Sequence, residues 1–203
     1  MVKNKDQKIK LTKSEFLKQI AVETAKMSYP GGMSRGIPPI VKAGTKAALQ
    51  EYFENTFPID KLWDEQLNEF NDWHKERVEE ISKRLAHKYY SKNRSANAIS
   101  AKFLNTFMHQ LMKYKKFRYL YKKLHLPLDT QVFNMLSGKL NGLVEHEDLR
   151  TLVSQYNAYE INDKQYNDAQ EQLGKLLKSY NKVLPEDCQL QARIELNSVL
   201  WIS

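Results

Sequence analysis

An all-α fold, a single compact helical domain of about eight to ten helices that admits two lobes, is predicted by three observations. Apolar residues recur at spacings of three and four through most of the chain. The clearest run is Trp63, Leu67, Phe70, Trp73, Arg77, Ile81, Leu85 and Tyr89. Proline and most of the glycine sit between such runs, and no two segments alternate apolar and polar residues in the way a pair of strands requires.

The elements follow in order. Residues 1–11 are polar and Lys-rich and read as a flexible lead-in, leaving 12–203 as the helical domain. LTKSEFLKQIAVETAKMSY is a helix that Thr12 or Ser14 can cap, with Phe16, Leu17, Ile20, Ala21 and Ala25 on its inner side. YPGGMSRGIPPI packs three glycines and three prolines into twelve residues and reads as a connecting loop. Its sharper alternative is a functional loop, with Gly31, Gly32 and Gly36 letting amides approach a ligand beside Arg35. VKAGTKAALQEYFENTF is a second helix, ended by Pro58. The stripe from Trp63 to Tyr89 is one broken helix or two in sequence, with its tryptophans in the core. Ser95 or Asn97 caps the next helix, whose stripe is Ile99, Phe103, Phe107, Leu111 and Tyr114. A short helix over 117–124 is expected to follow at an angle. Asp129 then stands as the N-cap of TQVFNMLSGKL, after Pro127 has pushed Leu126 out of the helical region. EHEDLRTLVSQYNAYE is a helix with an acidic first turn, and INDKQYNDAQEQLGKLLKSYNKVL is another, stopped by Pro185. The tail CQLQARIELNSVLWIS fits either period, and helix is preferred because no partner strand is visible.

Charge is segregated. The chain has 203 residues and a formal net charge of +8, but residues 81–128 carry twelve Lys and Arg and no acid, while both flanks are neutral or acidic. Lysines spread evenly would serve solubility; a block implies a face. Lys92, Arg94, Lys113, Lys115, Lys116, Arg118, Lys122 and Lys123 are the candidate phosphate contacts within it. Tyr89, Tyr90, Tyr119 and Tyr121 are interleaved, either stacking on bases or half-buried in packing. A solvated helical surface is the competing reading of the whole block.

Other classes are disfavoured. Cys188 is the only cysteine, so neither an internal disulfide nor a Cys-based zinc site is available, and a reducing, cytoplasmic setting is expected. The five histidines form no metal-binding pattern, the glycines match no nucleotide-binding fingerprint, and no apolar run is long enough to span a membrane. No cofactor and no metal is expected. His125 precedes the Leu126-Pro127 step and is placed to meet Asp129 or a phosphate, or to be a partly buried helix-end residue.

One short stretch suggests chemistry. Leu128-Asp129-Thr130-Gln131-Val132-Phe133 resembles the helix-starting aspartate segment, V-D-T-H-[IV]-F-R, of the helix-hairpin-helix DNA glycosylase superfamily. Gln131 stands where His is usual and Asn134 where Arg is usual. The hairpin pattern G-[VI]-G-x-K is absent upstream, and the aromatic, Met-containing AISAKFLNTFMHQLMKY is more similar to the archaeal-type 8-oxoguanine glycosylases. The resemblance implies an all-α DNA-repair protein that flips a base and cleaves its N-glycosidic bond, with Asp129 essential and Lys102 as the amine nucleophile of a lyase step. Without the resemblance, Asp129 is an N-cap and Lys102 a solvated helical lysine. Two further readings stand beside it: a non-enzymatic nucleic-acid-binding protein, and a helical interaction module whose basic face meets an acidic protein partner.

Overall fold

The computed structural model of the chain describes residues 12–28, 45–65, 67, 69–85, 95–128, 130–139, 146–155 and 160–196. Asp129, Lys92, Arg94, Tyr89, Tyr90, the Gly/Pro stretch and the N-terminal lead-in lie outside the described residues. Within them are eight α-helices: α1 (Lys13–Ser28), α2 (Thr45–Asn55), α3 (Ile59–Trp63), α4 (Phe70–Leu85), α5 (Ala96–Leu111), α6 (Thr130–Lys139), α7 (Glu147–Gln155) and α8 (Asp163–Val183). Three short 3-10 segments, Lys115–Leu120, Glu186–Cys188 and Arg193–Glu195, complete the set, and no strand occurs among the described residues. The chain is all-α, as its periodicity predicts.

Helix α5 is the axis of the molecule. Every residue from Ala98 to Met108 is buried, polar ones included, so neighbours cover this stretch on every side. Helices α1, α4 and α8 pack around it. Phe107 stacks on Phe53 of α2, ring centroids 4.1 Å apart, and Phe57 meets it edge-on at 4.9 Å. Trp73 closes the same aromatic cluster against Phe57 at 5.8 Å. One buried cluster runs from Leu17 in α1 to Leu196 beyond α8. The tryptophans Trp63 and Trp73 belong to this packing, not to a base-stacking surface.

Local chemistry sets the ends. Thr12 and Glu15 form a reciprocal cap at α1: the Glu15 amide donates to Thr12 Oγ1 at 3.2 Å, and the Thr12 amide donates to Glu15 Oε2 at 2.8 Å. Ser95 caps α5 by accepting from the Ala98 amide at 3.2 Å. Asn162 and Gln165 make the same box at α8. The described part of the stripe, from Trp63 to Leu85, resolves into two helices, α3 and α4. Between them, Glu65 takes a φ of 58° just past the end of α3, where a left-handed residue normally stops a helix.

Two expectations are corrected here. The segment after α5 is not an α-helix over 117–124. Tyr114 is extended (φ −89°, ψ 122°), and a 3-10 turn begins at Lys115. Phe117 and Leu120, three apart and both fully buried, eclipse on a three-residue period and not on a 3.6-residue one. The tail likewise makes no α-helix through residue 195. Asn181 of α8 holds the extended chain, donating to the Leu190 carbonyl at 2.8 Å and accepting from its amide at 2.8 Å, before the 3-10 turn at Arg193.

Candidate functional site

The basic segment from Lys113 to Lys123 is a rigid band with three distinct sides. In a 3-10 turn residues three apart share a side. Phe117 and Leu120 face the core. Lys116 and Tyr119 face the end of α3: Lys116 pairs with Glu65 at 2.8 Å, and the Tyr119 hydroxyl donates to the Leu62 carbonyl at 2.6 Å. Lys115 and Arg118 form the third side, which is exposed. Lys122 and Lys123 extend the exposed charge past the turn. Among the described residues no carboxylate pairs with Lys115, Arg118, Lys122 or Lys123. Lys113 is also exposed, its Nζ 3.3 Å from Met27 Sδ of α1. The 3-10 turn puts Lys115 and Arg118 on one side and turns Lys116 away from them toward Glu65.

The band is fastened at both ends. The Tyr114 hydroxyl donates to Glu23 Oε2 of α1 at 2.7 Å. At the far end the Tyr121 hydroxyl lies beside the Glu195 carboxylate. The Arg193 guanidinium donates to the Lys123 carbonyl at 3.2 Å and to the Gln170 carbonyl of α8 at 3.1 Å. Burial pushes the Tyr114, Tyr119 and Tyr121 hydroxyls up to about 12, with the acids beside them adding to the shift. These tyrosines are struts, so the half-buried packing reading holds for Tyr119 and Tyr121.

Lys102, the expected amine nucleophile, lies elsewhere. It is 2% exposed, in the first half of α5, and its own carbonyl accepts from the Thr106 hydroxyl at 2.8 Å. A solvated helical lysine is therefore the wrong description of it, because α5 has no solvent side at this point. Leu111, the last residue of α5, lies nine positions on, so Lys102 sits about 13 Å along the axis from the helix end that leads into the band. Neither Lys102 nor any residue of the band lines the clefts described below.

The structure also assembles a buried polar chain that the sequence pattern does not announce. His74 (α4), Asn105 (α5), Tyr166 (α8), His125 and Asn71 (α4) are linked in that order. His74 Nε2 lies 2.7 Å from Asn105 Oδ1, Asn105 Nδ2 donates to the Tyr166 hydroxyl at 2.8 Å, His125 Nδ1 is 3.2 Å from that hydroxyl, and His125 Nε2 is 3.2 Å from Asn71 Oδ1. One proton assignment satisfies every link. Asn105 Oδ1 can only accept, so His74 Nε2 carries hydrogen. Tyr166 accepts from Asn105 and donates to His125 Nδ1, which leaves His125 Nε2–H to donate to Asn71. With Nδ1 accepting, the His125 imidazole is neutral. The surroundings agree: burial lowers His74 to about 4, against the Asn105 bond and with help from Arg193, and burial, His74 and Arg193 hold His125 well below its ordinary value. The two rings are 4.3 Å apart. Gln170 seals the end, bonding both the amide and the carbonyl of Leu126. His125 is thus committed to the interior and presents neither nitrogen to a phosphate.

A cavity of about 20 Å³ touches this chain at His74 and Tyr166 and is bounded by Asn97 and Asp163. That is room for about one water, not for a substrate. Larger surface clefts lie between α1, α2 and α3 (about 580 Å³) and between α7 and α8 (about 520 Å³), both lined by mixed charges. No group of three or more metal-ligating side chains occurs among the described residues, and no helix there is long and apolar enough to cross a membrane. No family model, curated protein or solved structure matches the chain.

Proposed function

We propose that the protein binds nucleic acid, DNA in the first instance, through the band Lys113–Lys123, as a binding protein and not as a lyase. The observation that carries this is the exposed set Lys115, Arg118, Lys122 and Lys123, unneutralised by any carboxylate among the described residues and held on a segment fastened to α1, α3 and α8. Four cations on a rigid mount lose little conformational freedom when they meet phosphates, and each phosphate they neutralise releases condensed counterions. Base excision of the kind implied around Asp129 would need a reachable amine for its lyase step, and the buried Lys102 does not favour one.

The test is fluorescence anisotropy with a labelled duplex of random sequence. Removing one phosphate-neutralising cation should weaken binding at 0.1 M salt by about eightfold, referred to 1 M. Lys115→Gln and Arg118→Gln together should therefore cost about sixtyfold, with an unchanged circular dichroism spectrum. Equal affinity of the variant and the parent would remove the band from the binding site. Asp129→Asn on a lesion-bearing duplex tests the excision chemistry separately.

A further inference from the structure

We infer that the ligand of the band is the phosphate backbone of a duplex, and that single strands are bound more weakly. This rests on the nucleic-acid reading above. Proteins that hold single strands without sequence preference combine a basic track with aromatic faces on which bases stack, and the stacking supplies much of the affinity. The sequence between Lys113 and Lys123 offers four aromatics for that purpose, and the fold covers each of them at least in part. Phe117 is fully buried. Tyr114, Tyr119 and Tyr121 are half-buried; the first two spend their hydroxyls on Glu23 and on the Leu62 carbonyl, and the third lies beside Glu195. A base seeking a ring here would have to break a strut that fixes the band.

What remains exposed on the band is charge alone. Lys115 and Arg118 rise from one side of the 3-10 turn about 6 Å apart along its axis, with Lys122 and Lys123 following. A surface of this kind responds to charge density. A duplex presents one phosphate per about 1.7 Å of axis, twice the density of one strand, and returns more counterions per phosphate neutralised. Phosphates are the same in every sequence, so a band that meets only them should bind duplexes of unrelated sequence alike.

The experiment compares three labelled 20-mers at equal salt: a random duplex, one of its strands, and a second duplex of unrelated sequence. The duplexes should bind alike and about tenfold more tightly than the strand, with tyrosine emission unquenched on the strand. A strand bound as tightly as the duplex, with quenched tyrosine emission, overturns this inference and leaves the nucleic-acid reading in place. Failure of all three to bind removes both.

Discussion

Acid should unfold this protein through its buried histidine pair. His74 has a value of about 4 in the fold against 6.5 when solvated, so the unfolded chain takes up its proton first as pH falls. Stability is complete above about pH 6.5 and is lost between there and about pH 4, where the loss levels off. The full shift corresponds to roughly 3 kcal/mol, of which about 2 is reached at pH 5. His125 titrates in the same direction and adds to it. The geometry shows why neither proton is tolerated. The rings are 4.3 Å apart, Arg193 adds a third positive charge, and a proton on His125 Nδ1 would confront that of the Tyr166 hydroxyl. The assay is urea unfolding at about pH 7.5, 6 and 5. With a slope near 2 kcal/mol per molar, the midpoint should fall by about 1 M or more across that range. Stopping at pH 5 keeps clear of Glu15 and Glu23, whose carboxyls are held below 4.5 by hydrogen bonds from Thr12 and from Tyr114. His74→Gln should lose about half of the response. A midpoint independent of pH, or a full response in His74→Gln, would refute the neutral-pair assignment.

Three further outcomes follow from the packing. Phe107→Ala empties the stack on Phe53 and Phe57 and should cost about 3–5 kcal/mol, read by thermal or urea melts. Asn162→Ala removes the α8 capping box and should cost about 1 kcal/mol by the same measurement. Lys116→Ala breaks an exposed ion pair with Glu65 and should change stability by less than about 1 kcal/mol.

Much of the helical fold was legible because its signals are local. Ser95 before a helix, Phe70 and Trp73 on one stripe, and Pro185 past α8 each act within a few residues. The 3-10 band was not legible: Phe117 and Leu120 give one three-residue interval, too short to separate from a 3.6-residue period. Its charge was plain in the sequence, but the side on which that charge gathers was not. The polar chain was hidden for another reason. Its links join residues 31, 61, 41 and 54 apart, and nothing local distinguishes His74 from any polar residue on an amphipathic helix. Lys102 misled because lysine is almost never fully buried.

The central claim is that four exposed cations on the Lys113–Lys123 band meet phosphates. It is tested most directly by the salt dependence of duplex affinity. Four neutralised phosphates predict a slope of about −3.6 for log affinity against log salt, a fall of about 150-fold between 50 and 200 mM. Glutamine at Lys115, Arg118, Lys122 and Lys123 together should flatten that slope. A wild-type slope near zero, or a steep slope that survives all four substitutions, would contradict the account.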